Sequence, residues 1–255
     1  MQMHYKKFGK GQPLIILHGL FGMSDNWMTI SKRIAKKHTV FLPDIRNHGL
    51  SPHTDDFNYE LIAGDLDEFI SQQNLNEVRL IGHSMGGKAV MRFSLEFPEK
   101  VEKLVLVDIA PKKYEHLFFR NLLNFMVQLD LEKFNNRADI DETFKKVIPS
   151  LGVRQFLLKN ISRLDDLSFE WKINVPALSN NLDEIFAEIS SANTFEKPVL
   201  VVRGAKSDYV LDEDMVSIKQ LFPNADLVTI ANAGHWLHVE AEDAFCDQLK
   251  IFFQE

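Results

Sequence analysis

The chain contains a single cysteine, Cys246, among its 255 residues. An internal disulfide is therefore excluded, which suits a reducing compartment and leaves stability to an apolar core. Long apolar runs are lacking as well. No stretch approaches the roughly 20 residues that a bilayer-spanning helix needs. The opening residues, MQMHYKKFGKGQP, have no apolar core of signal-peptide length. A cytoplasmic protein without a membrane span is the expectation. There is no excess of basic residues: 29 Lys and Arg stand against 36 Asp and Glu, a formal net charge of −7. That balance argues against a general nucleic-acid or anionic-membrane binder. A Walker loop, a Rossmann glycine pattern and zinc-ligand spacing are all missing, so neither a cofactor nor a metal is expected. Nothing in the sequence specifies an oligomeric state.

What the chain does have is ordinary for a globular protein, 45% hydrophobic and 25% charged. Short apolar runs stand at Leu14–Leu17, Val40–Leu42, Val78–Ile81, Leu104–Val107, Val199–Val202 and Leu227–Ile230. Uninterrupted Val, Ile and Leu without polar alternation predict strands covered on both faces, as in a parallel sheet. His4 to Phe8 adds a candidate edge strand. Between the runs lie helical spacings, such as Leu61, Ile62, Leu66, Phe69 and Ile70, and Phe245, Leu249, Phe252 and Phe253 near the end. Strands alternating with helices predict a doubly wound α/β sheet.

The residues that follow the runs carry the chemistry. In open α/β sheets, sites form beyond the carboxyl ends of the strands. The third run leads into Gly82-His83-Ser84-Met85-Gly86, the fourth ends at Asp108, Gly204, Ser207 and Asp208 follow the fifth, and Gly234-His235 follows the sixth. A serine, acids and a histidine thus reach one edge in the order Ser, Asp, His. A tight strand-to-helix turn crowds its apex, so the neighbours of Ser84 must lack side chains, and the hydroxyl is pushed out near the positive end of the next helix.

The stretches "HGLFG", "DIRNHGLSP", "GHSMGGK", "DIAP" and "NAGHWLH", in order from residue 18 to residue 238, resemble the α/β-hydrolases. More narrowly they are similar to the small bacterial esterases of the YbfF type and their mitochondrial abhydrolase relatives. The resemblance implies an α/β-hydrolase fold with a mostly parallel sheet, helices on both faces and an inserted helical cap. It also implies a serine hydrolase that cleaves carboxylic esters or acyl thioesters, including acyl-CoA, through an acyl-enzyme. The rivals are a haloperoxidase-like perhydrolase, a C–C bond hydrolase of the same fold, and a non-catalytic ligand-binding receptor, since fold alone does not separate these.

A serine hydroxyl needs a base to take its proton, and His235 is the candidate. The oxyanion of an acyl transfer needs donors already in place. The amide of Met85 is one; the resemblance supplies that of Leu20 as the other. Two acids compete to orient His235. Many α/β-hydrolases use the third residue past a glycine after the penultimate strand. Here that slot in Gly204-Ala205-Lys206-Ser207-Asp208 holds Ser207, and the acid comes one residue late. Asp108 ends the run LVLVD one strand over from the nucleophile, and the resemblance through "DIAP" points to it. Asp108 is the expected third member, with Asp208 the alternative.

Other polar residues read as structural. His18 is expected to bond neighbouring loops, and His83 to pack beneath the elbow. Asp44 and Arg46 are expected to pair with each other and brace the loop carrying His48. His235 and His238 have chelating spacing but no third ligand. Lys88 could be a solvated charge or could meet an anionic substrate tail. Lys112 and Lys113 read as a solvated hinge rather than a phosphate site. The domain division expected is a core of residues 1–111 and 193–255, with a helical cap over 112–192. The cap's stripe of Phe118, Phe119, Leu122, Leu123 and Met126 is mostly packing, with a minority facing inward as an apolar acyl pocket.

Overall fold

A computed structural model describes residues 1–254. They contain nine strands: β1 (Tyr5–Gly9), β2 (Gln12–Leu17), β3 (His38–Pro43), β4 (Val78–His83), β5 (Val101–Val107), β6 (Ile161–Arg163), β7 (Phe169–Trp171), β8 (Val199–Gly204) and β9 (Ala225–Ile230). Seven form one sheet in the order β1-β3-β2-β4-β5-β8-β9. All neighbours run parallel except β1, which lies antiparallel to β3.

The apolar runs are uninterrupted because each face of the sheet meets its own core. Successive strand residues point to opposite faces. Ile15, Leu17, Leu80, Leu104, Leu106 and Val201 join one apolar cluster, with the helices Tyr59–Gln72 and Met85–Glu96. Their sequence neighbours Leu14, Ile16, Ile81, Val105, Val107 and Val202 join the other, with Met28–Ile34 and Glu242–Phe253. The outermost strand β9 departs from this pattern: Leu227 and Val228 are only partly buried, because no strand covers its far edge.

Between β5 and β8 the chain forms helices at Leu117–Gln128, Arg137–Lys145, Leu151–Leu158, Val175–Asn180 and Leu182–Phe186. The segment is not purely helical, since β6 and β7 pair into an antiparallel ribbon within it. It has no separate core. Leu122, Leu123, Met126 and Phe144 belong to the same apolar cluster as the sheet face.

The turn from β4 into Met85–Glu96 depends on close backbone approach. A Cβ on Gly86 would lie 2.5 Å from the carbonyl oxygens of Leu17 and His18, while Gly64, exposed in the middle of Tyr59–Gln72, has nothing within 4 Å. The two glycines predict opposite outcomes on substitution. Gly64→Ala should stabilise by about 0.5–1 kcal/mol, because it limits the unfolded chain without strain. Gly86→Ala should destabilise by at least about 1–3 kcal/mol, because β2 or the helix must shift. Urea unfolding of both variants checks this, and equal midpoints would contradict it.

Candidate active site

Ser84 sits at the apex between β4 and the helix Met85–Glu96, with φ of 54° and ψ of −120°. A non-glycine residue at positive φ is costly, about 1–3 kcal/mol, and persists only where its surroundings enforce it. The enforcement is local. Ser84 N–H donates to the Val107 carbonyl (3.1 Å), and the Ser84 carbonyl accepts from Gly87 (2.8 Å) and Lys88 (3.1 Å). On the other side Gly19 comes so close that a Cβ there would lie 3.2 Å from that of Ser84.

The carboxyl ends of the neighbouring strands are stitched in sequence. Asp108 N–H donates to Val202 (2.8 Å), Ala205 N–H to Ile230 (2.9 Å) and Lys206 N–H to Ala233 (2.8 Å). These bonds bring the loop of His235 over the end of β5. His235 Nδ1 lies 2.7 Å from Asp108 Oδ2. Asp108 has no solvent exposure, so a carboxylate there must be fully hydrogen-bonded. Gly204 N–H donates to Oδ1 at 3.2 Å and the Ser207 hydroxyl donates to Oδ2. The serine that occupies the usual acid slot is thus a donor to the acid supplied from β5. Asp208 is exposed and makes no hydrogen bond among the described residues.

With Nδ1 committed to Asp108, Nε2 of His235 is the nitrogen left for a substrate or nucleophile proton. Ser84 and His235 line the same cavity of about 690 Å³, and the Ser84 hydroxyl makes no hydrogen bond among the described residues. Leu20 and Met85 also line that cavity, and their amides donate to no protein group among the described residues. Apolar side chains dominate the remaining wall, among them Phe21, Phe119, Leu122, Phe156 and Phe186. Of the stripe 118–126, Leu123 and Met126 are buried in packing, while Phe118, Phe119 and Leu122 reach the cavity.

Two histidines work as neutral acceptors behind the Leu20 loop. His18 Nε2 accepts from Ile45 N–H (3.0 Å) while Nδ1 donates to the Gly19 carbonyl (2.9 Å). His48 Nε2 accepts from Phe21 N–H (3.3 Å) and Nδ1 donates to the Arg46 carbonyl (3.0 Å). Burial lowers the pKa of both, that of His48 to about 3. His83 packs beneath the elbow as expected: its Nε2 donates to the His235 carbonyl at 2.9 Å, and its ring lies 4.7 Å from that of His235. His238 stacks on Trp27 at 4.2 Å, and burial takes it to about 3.

The expected Asp44–Arg46 pair does not form. Arg46 makes a bidentate contact with Asp65, at 2.7 and 2.9 Å. Both oxygens of Asp44 are occupied by amides, Ser24 N–H at 2.6 Å and Leu50 N–H at 3.0 Å. Lys88 is not a solvated charge: it is buried, its ammonium bonds backbone carbonyls, and the residue borders the cavity that Ser84 lines. Lys112 is not a free hinge charge, since it pairs with Asp214 at 2.6 Å, while Lys113 is exposed. Sequence reasoning missed Tyr209, whose ring stacks on His235 at 3.8 Å. It also missed Tyr114, whose hydroxyl accepts from Ala110 N–H and donates to the Tyr209 carbonyl. The out-of-place Ser207 was the one signal available for this corner.

Among the described residues, no three His, Cys, Asp or Glu side chains are grouped to hold a metal ion, and no helix is long and apolar enough to cross a membrane.

A family profile described as alpha/beta hydrolase fold matches residues 12–242. The chain is 34% identical to the sn-1-specific diacylglycerol lipase ABHD11 of Danio rerio, over 96% of this chain and 80% of that one. It is 32% identical to the esterase YbfF of Escherichia coli, over 95% and 93% respectively. Among solved structures, a marine microorganism esterase is 41% identical and superposes with a TM-score of 0.96, covering 98% of this chain and 99% of the other.

The buried imidazoles predict acid lability. A histidine whose folded pKa is depressed is held neutral in the fold, while the unfolded chain takes up its proton below about pH 6.5. The contribution of these histidines to stability should therefore be flat above that value and fall as pH drops toward the folded pKa. Each such histidine contributes a slope of at most about 1.4 kcal/mol per pH unit. Urea midpoints measured across this range check the sign; a midpoint that rises on acidification would contradict it.

Proposed function

The chain belongs to the α/β-hydrolase family and is an ester-hydrolysing enzyme, and on that premise we propose that it cleaves carboxylic esters or acyl thioesters through an acyl-enzyme on Ser84. The observation that carries this reading is the bond from His235 Nδ1 to the buried Asp108 carboxylate, 2.7 Å long, beside the cavity that Ser84 lines.

The chemistry runs in two halves. Ser84 Oγ attacks the acyl carbon as His235 Nε2 takes the hydroxyl proton, and Asp108 holds the ring in the required tautomer and stabilises the imidazolium. The carbonyl oxygen becomes an anion, which the amides of Leu20 and Met85 stabilise. Collapse of this intermediate breaks the bond to the leaving alcohol or thiol, which receives the proton from His235. Water then attacks the acyl-enzyme with His235 as base, and Ser84 leaves with its proton restored. Residues 1–111 and 193–255 supply this machinery. Residues 112–192 form a cap whose Phe119, Leu122 and Phe186 give the acyl group an apolar wall. A small acyl ester or thioester with an apolar acyl chain is the substrate class that such a wall selects.

A fluorophosphonate should label Ser84, and Ser84→Ala should abolish labelling and lower ester turnover by at least about 10³-fold. Asp108→Asn leaves His235 in the wrong tautomer and should lower kcat by on the order of 10³–10⁴-fold, whereas Asp208→Asn stays near wild type. Acylation rates of folded variants make the comparison. A large loss in Asp208→Asn beside a normal Asp108→Asn would reassign the acid. Hydrolysis of paired oxygen esters and thioesters of one acyl group separates the two substrate classes.

A further inference from the structure

Lys88 violates two preferences at once. It lies in the first turn of Met85–Glu96, where the helix dipole disfavours a cation, and its side chain is buried, 1% exposed. No carboxylate pairs with it. Its ammonium instead donates to the carbonyls of Lys112 (2.9 Å), Phe186 (3.3 Å) and Ala187, and sits over the Tyr114 ring at 4.9 Å. Those acceptors come from both sides of one structure. Residues 111–114 are where the chain leaves the sheet after β5, and residues 186–189 are where it returns toward β8. The two segments also bond each other, Tyr114 N–H to Phe186 (3.0 Å) and Ile189 N–H to Pro111 (2.7 Å). They form a neck, and the ammonium four residues after Ser84 closes it. A methionine would fill the same volume without a buried charge, so the donors are what distinguish this residue.

We propose that Lys88 is a positioning residue that fastens the neck of the 112–192 segment to the helix beginning at Ser84, and so sets the distance between the apolar acyl wall and the nucleophile. This rests on the acyl-enzyme reading above. Phe186 and Phe119, whose rings lie 4.9 Å apart, belong to that wall. A neck that slips therefore moves the surface a long acyl chain touches, while an acetyl group barely reaches it.

The clamp does not need the charge, since a neutral amine still has two N–H donors for the neck carbonyls. Burial lowers the Lys88 pKa to about 7, against the opposing pull of Glu188. A slipped neck would return the group to water, where it holds its proton to higher pH, so protonation favours slipping and the clamp should tighten as pH rises through this value. The other polar groups around the neck are known. Tyr59 is buried and Tyr114 half-buried, and both have raised pKa values, which keeps them neutral. Lys112 pairs with Asp214, and His116, stacked on Phe186, pairs with Asp183, which also takes Arg120. A Lys88→Met variant retains all of these, so it separates Lys88 from His116.

The test measures kcat/KM for decanoyl and acetyl esters of one alcohol between about pH 6 and pH 9, together with hydrogen exchange at Tyr114 and Ile189. In the wild type the decanoyl-to-acetyl ratio should rise as pH rises, and the neck amides should gain protection relative to the intrinsic pH effect. In Lys88→Met the ratio should be lower by about tenfold at pH 9 and no longer depend on pH. Lys88→Arg stays charged throughout and should lack the pH-dependent rise; a wild-type rise in that variant overturns the proposal. An equal loss on both esters, or a ratio unchanged from wild type, overturns the proposal. If Lys88→Met does not fold, the wild-type exchange profile decides, and protection that is flat with pH overturns it. Should the acyl-enzyme reading itself be wrong, fluorophosphonate would fail to label Ser84 in the wild type, which is a separate outcome.

Discussion

A carboxylate with no access to solvent organises the working edge of this protein. Leaving Asp108 unpaired would cost several kcal/mol, and the fold avoids that by converging three donors on it: the His235 ring, the Ser207 hydroxyl and the Gly204 amide. These come from the loop after β9 and the turn after β8. Satisfying one buried charge therefore fixes where two loops sit relative to the end of β5. The Ser84 elbow joins the same construction through its bond to Val107, the residue before Asp108. Removing the carboxylate would loosen the His235 ring and leave Ser207 without an acceptor.

The loop that carries Leu20 is held by a different principle. Its amide neighbours and those of the 44–51 loop end on neutral imidazole nitrogens, His18 Nε2 and His48 Nε2. An imidazolium has no acceptor to offer, so protonation would break both bonds. Burial prevents protonation at neutral pH, which is why the two rings can serve as structural acceptors. Asp44 and Asp65 complete the brace, the first on loop amides and the second on Arg46. The 44–51 loop thus holds the Leu20 loop rather than contributing chemistry of its own.

The segment between β5 and β8 shares its apolar cluster with the sheet face and has none of its own. Hydrogen bonds tie it at the neck that Lys88, Tyr114 and the Phe186 region build, and at Asn160, whose side-chain amide donates to the Phe21 carbonyl at 2.8 Å. Further bonds reach the 47–59 stretch, where Asn174 N–H donates to the Asn47 carbonyl (3.0 Å) and the Tyr59 hydroxyl to the Ile185 carbonyl (2.6 Å).

The amino-acid sequence by itself determined the parallel sheet, because strands covered on both faces must be apolar throughout, and the runs at Leu14, Val40, Val78, Leu104 and Val199 alternate with helical spacings. It determined the elbow, because only glycines at 82 and 86 tolerate backbone on every side of Ser84. It also determined which edge gathers the polar residues, since they follow the strands in the chain. Tertiary structure alone decided which of those residues touch. Ser207 and Asp108 are far apart in the chain, and only the parallel register of β5 with β8 brings them together. Arg46 found Asp65 on a helix rather than its near neighbour Asp44, because Asp44 was already taken by amides. Lys88 could not be told from a solvated lysine until the neck closed over it. Local pattern reports burial and backbone shape; hydrogen-bond partnership depends on distances that only the packed chain sets.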